Sequence, residues 1–586
     1  MLITQVRVTN FRGWDELDLR PRGHVVVIGE PRAGRSDLIA ALTRVLDPRS
    51  TRMQPMTGDI HQDMSSGTQV MADYAEVQVT LTQLPADVEL EADGALEPLL
   101  PDGTVDESGN ANPAAPLGLR LAYRVSYDAP TDILEHRVFY PVASDPTLNK
   151  YVRVPTAVRE LLPVVFLGAS RPLQLRAEGV LRRLVTDHDS VNATAALQAL
   201  EADIAVAASR MSANAAIQAV LDAVLTQDGP ARRIGDSPVT AADVQFLPED
   251  GSLAGLLRAV QPVLRLDQAG PLPLASHGST VAAALSAAEA LLLCSAIPGA
   301  LVIGDDVGEG LDGPTTEQLT GALRQASSQV LLTTRRADAV RAFETNEVVR
   351  LTRHTGTRLV HQVSPPVDRK EASVHRHIQG QLLPALTATT LAVSEGRHDL
   401  SAFSAADRRQ IATVLPLAAH GVRLISADSG PGGGTSQIPL VASLAKQLGY
   451  RVVAIVDGDP VKYATAALTQ IEAACDVVVR LPTSVAVERA ILIGATVAHI
   501  RAAASVFPTF GQPDPTLGQS DNDVAAAVTQ LLHKKGLHEQ FFRALVDETG
   551  VLPPVMESAL ANVANCSSPI YTGPSRIDLV DPTTTP

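Results

Sequence analysis

The sequence predicts an α/β protein with two parallel-sheet modules in series, the first interrupted by a helical insertion. Three observations lead there. Apolar strands that end in glycine or a carboxylate and run into a helix occur around residues 24–46 and again around 390–480. Between them, about 175 to 225 is rich in Ala and Leu at helical spacing, with almost no breakers. Hydrophobic residues make up 45% and aromatics only 3%, so the cores must be aliphatic, which suits layered α/β packing.

The elements follow in order. Residues 2–8 alternate as a strand, and His24–Ile28 is an apolar run ending in glycine. A helix pattern covers Ser36–Leu46, and residues 75–83 alternate as another strand. Residues 98–117, rich in Pro, Gly, Asp and Asn, read as an exposed loop, and 161–168 as a buried strand. The expected division is 1–174 for the first part of the N-terminal module, 175–265 for a helical, dimerising insertion, and 266–363 for the module's second part. A charged, Pro-containing linker at 364–385 leads to a second module with C-terminal helices at 386–566. The polar tail, 567–586, is expected to be partly disordered. No internal repeat is evident.

At roughly 100–200 residues per domain, 586 residues make three or four domains. The formal net charge of −16 argues against a non-specific DNA coat. It leaves room for metal-assisted chemistry on phosphates, because divalent cations and local basic patches offset repulsion. Cys294, Cys475 and Cys566 are far apart, so neither a disulfide framework nor a zinc knuckle is implied and a reducing cytoplasm fits. The first residues lack the charged-then-apolar layout of a signal peptide. The apolar run Val281–Ile303 contains Glu289 and is split by Pro298-Gly299, so it reads as a helix and a strand and no membrane is expected as a partner.

Gly29-Glu-Pro-Arg-Ala-Gly34-Arg35-Ser36 lies between a strand and a helix with the spacing of a phosphate-binding loop. Glycines let backbone N–H groups curl around phosphates, Ser36 offers a hydroxyl for Mg²⁺, and Arg35 stands where a lysine usually does. The plain alternative is a Gly-rich turn. Leu301–Gly304 is an apolar strand followed by Asp305 and Asp306, then Gly310-Leu-Asp312. Asp305 is positioned to hold Mg²⁺, and Asp306 occupies the place of a water-orienting glutamate, one methylene short. Ser276-His-Gly278-Ser279 opens a helix and is either a plain cap or an anion site that reaches a partner's nucleotide. Arg335 follows the apolar strand that ends in Thr333 and Thr334.

In the second module, Glu395 ends the strand Leu391–Ser394, and Asp399 lies one helical turn on. A second strand, Val422–Ser426, precedes the Gly-rich run Gly430–Gly434, and a third, Arg451–Val456, ends at Asp457-Gly458-Asp459. In a parallel sheet these strand ends share one crevice, and hard oxygen donors there suit two Mg²⁺ or Mn²⁺ ions. Taken alone, Asp-Gly-Asp-Pro is a turn and Glu-Gly-x-x-Asp a capped helix start. Together in one βαβ frame they point to a metal site.

The motif order of the first module, with Val6-Arg-Val-Thr-Asn10-Phe11-Arg12-Gly13 ahead of the loop, resembles the ABC-type ATPases of the SMC and OLD (overcoming lysogenization defect) groups. The acidic constellation of the second resembles a Toprim domain. The whole chain resembles the OLD-family nucleases, the group that includes the Gabija-system nuclease. That resemblance implies an ABC-type ATPase fold followed by a Rossmann-like Toprim domain, and an ATP-regulated, metal-dependent endonuclease used in antiviral defence. DNA is the implied substrate, ATP with Mg²⁺ the implied cofactor of the first module, and a homodimer with a separately encoded helicase or effector the implied assembly. It also implies that Glu488 touches metal and that Lys535, or Lys534 in the other register, steadies transition-state charge. Their plain alternatives are a solvated helix acid and a surface lysine pair.

Arg35, Asp306 and Arg335 depart from the ATPase pattern at residues tied to hydrolysis, so ATP is expected to bind and turn over slowly. The competing reading is an ATP-responsive clamp or sensor with a weak nuclease site. Strand passage or primer synthesis ranks below both, since the eight tyrosines form no recognisable catalytic arrangement.

Overall fold

The computed structural model describes all residues except 65–66, 108–113, 168–172, 174–179, 214, 216–217, 220–261, 266–270, 355, 411–415, 429–433 and 583–586. The chain divides into two compact units. One comprises Met1–Val164, Ile303–Val307 and Gln329–Pro586; the other comprises Val165–Val302 and Gly308–Ser328.

Among the described residues the first unit carries three larger sheets and a two-stranded one, Gln62–Asp63 with Val70–Met71. Leu2–Phe11 pairs antiparallel with Trp14–Leu19 on one side and Tyr74–Thr82 on the other. Leu117–Asp128 extends that sheet and also carries Leu96–Pro98 and Ile133–Phe139. The segment expected to be a loop therefore begins and ends in strand. It also holds an isolated bridge, Leu99 to Val105, because both side chains are buried. In the second sheet, Val25–Gly29 lies parallel between Gln329–Thr333 and Val348–His354. Five consecutive buried positions in Val25–Gly29 reflect coverage on both faces. Thr357–Gln362 closes this sheet as an antiparallel edge strand.

The third sheet is wholly parallel, ordered Val422–Ser426, Thr390–Ser394, Arg451–Val456, Val477–Arg480 and Arg576–Asp578. Its last strand comes from the tail, whose backbone finds a ladder partner in Val478–Arg480. Helices Val524–Lys535, His538–Thr549 and Pro554–Cys566 bury Val528, Phe541 and Met556 in the core beside it. Residues 364–385, read as a linker, contain the helix Arg369–Leu382, capped by Asp368, which accepts from Glu371 N–H at 2.8 Å.

In the second unit, the described helices are Val180–His188, Ser190–Ser212, Ser279–Ala296 and Gly313–Ala326. The first two lie in the expected helical insertion; much of the rest of 175–265 lies outside the described residues. Pro298-Gly299 separates helix from strand as the sequence predicts. Ser279–Ala296 has the length and apolarity of a membrane span, but its Glu289 is buried and accepts a hydrogen bond from Leu173 N–H at 2.8 Å.

Candidate metal centre and nucleotide loop

The nucleotide loop is built by a strand that stops at Gly29 and a helix that starts at Arg35. Gly34, the N-cap, has φ +93°, and a Cβ there would meet Trp14 Nε1 at 2.6 Å, so only glycine fits. Arg35 does not reach outward. Its Nη1 donates to the Gly29 carbonyl at 2.7 Å, and burial pulls its pKa down, against the pull of Asp306. Ser36 is exposed at the helix start.

Beyond the Leu301–Gly304 strand, Thr333 Oγ1 donates to Asp305 at 2.5 Å and accepts from Asp306 N–H at 2.8 Å. Asp306 adopts φ +45°, and its carboxylate takes Arg335 Nη2 at 3.1 Å. Two of the residues that depart from the ATPase pattern, Asp306 and Arg335, are thus paired with each other. In the second unit, Gly278 is the N-cap of Ser279–Ala296 and, like Ser276, is exposed. Asp312 caps the Gly313–Ala326 helix by accepting from Thr315 N–H at 2.9 Å.

In the Thr390–Arg480 region the strand ends converge as expected. Glu395 follows one strand and Asp457 another, and the two strands pair directly. Gly458 allows a third segment to approach. A Cβ there would sit 1.8 Å from the Pro482 carbonyl, and its own N–H bonds Val485 at 2.8 Å. The short helix Val487–Ala490 then brings in Glu488.

The four acids feel one another. Burial, then the charge of Asp399, pushes the Asp457 carboxyl up to about 8. Burial raises Asp399 to about 6 despite the Gly396 N–H it accepts at 3.0 Å. Burial would raise Glu488 too, but His538 and its own backbone bring it down to about 2. His533 Nδ1 lies 3.2 Å and His538 Nε2 3.4 Å from Glu488 Oε1. Among the described residues, no three His, Cys, Asp or Glu side chains close on one point as metal ligands do. Lys462 lies among these acids. Its ammonium pairs with Glu395 and lies 3.8 Å from Asp457, while Tyr463 donates to Glu395 at 2.7 Å.

Two predicted members stand apart. Asp459 folds onto its own turn, accepting from Val461 and Lys462 N–H at 2.8 and 3.1 Å, and those bonds lower its pKa. Lys535 is exposed on the last turn of its helix, and among the described residues no ion pair joins it to the acids. Most of the expected Gly430–Gly434 loop lies outside the described residues, but a Cβ on Gly434 would come within 3.1 Å of Glu395. Sequence reasoning missed Lys462, Tyr463, His533 and His538. The one signal available was a Lys-Tyr pair just beyond Asp-Gly-Asp-Pro.

Residues 1–85 match the family described as "Protein of unknown function (DUF2813)". No curated protein matches the chain. Among solved structures, an SMC head bound to the C-terminal winged-helix domain of ScpA is 12% identical, with a TM-score of 0.35, covering 62% of this chain and 98% of that one. An SMC head with an extended coiled coil, bound to the C-terminal domain of ScpA derived from Pyrococcus furiosus, is 11% identical, with a TM-score of 0.33, covering 62% and 96%. The SMC head domain from Thermotoga maritima is 10% identical, with a TM-score of 0.28, covering 62% and 100%. At these scores the likeness assigns neither fold nor function.

Proposed function

We propose that this chain is an OLD-like, divalent-metal-dependent DNA endonuclease, governed by nucleotide binding at an ABC-type module and serving in antiviral defence. The observation that carries this reading is the mutual charge of Glu395, Asp399, Asp457 and Glu488, which come from three segments, with Lys462 beside Glu395 and Asp457. Their oxygens fit Mg²⁺ or Mn²⁺. Asp457 and Asp399 are raised to about 8 and about 6, which marks buried negative charge that one ammonium does not offset.

A divalent cation held there supplies Lewis acidity and an activated water for phosphodiester hydrolysis. Tyr463 fixes one oxygen of Glu395, and His533 and His538 keep Glu488 ionised. Lys462, which pairs with Glu395 and lies near Asp457, would give way to such a cation, and its ammonium would then be available to a DNA phosphate. Asp459 shapes the turn that carries Lys462.

At the other centre, Gly29–Ser36 cradles the phosphates of ATP, and Ser36 and Asp305 hold its Mg²⁺. Ser276 and Gly278 serve the nucleotide of a second copy, so a homodimer is expected. The Arg335–Asp306 pair keeps turnover slow. A separately encoded helicase or effector is a further expected partner.

One observation favours the clamp reading instead: Lys462 already neutralises part of the acidic cluster. Incubating plasmid with the protein in Mg²⁺, Mn²⁺ or Ca²⁺, with and without ATP, separates the two. Nicking that disappears in Glu395→Gln supports the nuclease. Tight DNA binding without nicking under every condition leaves the clamp.

A further inference from the structure

The first unit contains a second polar cleft, of about 530 Å³, that neither centre uses. That volume is in the range of small-molecule sites and far too small for a duplex. Its walls carry the side chains of Arg353, His354, His420 and Arg451, with Thr390 and Glu30. The protein as a whole is acidic, at −16, so a cleft lined by two arginines and three histidines, His354, His361 and His420, is a local reversal of charge.

The one carboxylate there does not oppose them. Glu30 Oε1 is taken by Arg350 Nη2 at 3.2 Å, and Oε2 accepts the Arg353 N–H at 3.2 Å. Two donors on the wall are unspent. Arg451 Nε and Thr390 Oγ1 are buried with no hydrogen-bond partner among the described residues, and Thr390 as a residue is only 1% exposed. Buried polar atoms are nearly always bonded, and both of these belong to residues that line the cleft. Arg451 opens the central strand Arg451–Val456 and its guanidinium lies 5.5 Å over the Tyr571 ring, while Arg353 stands exposed at the mouth.

We infer that this cleft binds the phosphate of a small phosphomonoester. Planar guanidiniums meet phosphate oxygens in pairs, and a phosphate dianion has enough acceptors for the arginines, imidazoles and a hydroxyl, where a carboxylate does not. The site touches the Gly29–Ser36 loop only through Glu30, shares no residue with the acidic cluster, and stands whether or not the nuclease reading holds.

The test is calorimetric titration of the intact protein with ribose 5-phosphate in EDTA, beside ribose. The expected result is saturable binding of ribose 5-phosphate, none of ribose, and a loss of roughly tenfold or more in affinity for Arg353→Ala and for Arg451→Gln. Asp305→Ala and Asp457→Asn should bind ribose 5-phosphate as the wild type does. Absence of binding up to about 10 mM ligand, a range that still reads millimolar affinity, overturns the inference. So does full affinity in Arg353→Ala, a substitution at an exposed position that keeps the test open if Arg451→Gln does not fold. Binding lost in Asp305→Ala assigns the phosphate to the nucleotide loop and also overturns it.

Discussion

The nucleotide loop and the acidic cluster both lie at the carboxyl ends of parallel strands, yet they handle charge in opposite ways. In the loop each charged group named has a protein partner: Arg35 bonds Gly29, Asp305 takes Thr333, and Asp306 takes Arg335. In the cluster Lys462 pairs with Glu395 and lies 3.8 Å from Asp457, Glu488 faces His533 and His538, and Asp399 and Asp457 are pushed far above the usual aspartate range. A self-satisfied loop can hold a ligand without being poised for fast chemistry. An undercompensated cluster is where the proposed cation is expected to enter.

The largest effect expected from this contrast is at the cluster. Asp457→Asn should cut metal-dependent nicking by roughly a thousandfold or more, measured as the initial rate on supercoiled plasmid. Nicking retained within tenfold would remove Asp457 from the chemistry. The loop predicts a smaller gain of function. Asp306→Glu combined with Arg335→His should restore water orientation and raise ATP turnover roughly 10–100-fold. An unchanged rate of phosphate release would mean the Asp306–Arg335 pair is not what limits hydrolysis.

The raised carboxyls also set a pH dependence. A folded-state pKa above the unfolded value of 3.8 means stability is complete below about pH 4 and is lost as pH rises through about 6 for Asp399 and about 8 for Asp457. Thermal stability of the metal-free protein should therefore fall from pH 5 to pH 8, and Mg²⁺ should restore most at the upper end. At pH 8 in EDTA, Asp457→Asn should gain about 1–3 kcal/mol while losing the response to Mg²⁺. A destabilised variant would show that Asp457 is compensated by groups other than the cation. The smallest effect separates members of the cluster from neighbours. Asp459→Asn should change nicking about twofold or less, whereas Lys462→Met should tighten Mg²⁺ binding about tenfold by removing the competing cation. Equal effects for the two would place Asp459 among the ligands.

Much of this was legible in the chain. The strand, glycine and helix order around Gly29 and around Glu395 emerges as read, because apolar period and breakers are local signals. Three structural details were not legible, for one cause. Residues 364–385 are polar and contain Pro, yet Ile378 and Leu382 are buried on one face of a helix. The tail is polar, yet Arg576–Asp578 completes a parallel sheet through backbone bonds that do not depend on side-chain pattern. Asp459 sits two residues from Asp457, and that spacing does not reveal that its carboxylate turns to Val461 and Lys462.

The sequence by itself determined which residue types stand at the strand ends, since hydrophobic runs and glycines mark where strands stop. Tertiary structure alone decided how those residues are balanced. Lys462, His533 and His538 reach the acids across separations from 5 to 67 residues, and Arg335 reaches Asp306 across 29. Charge compensation depends on distance in space and on burial, and neither is written in the order of the chain.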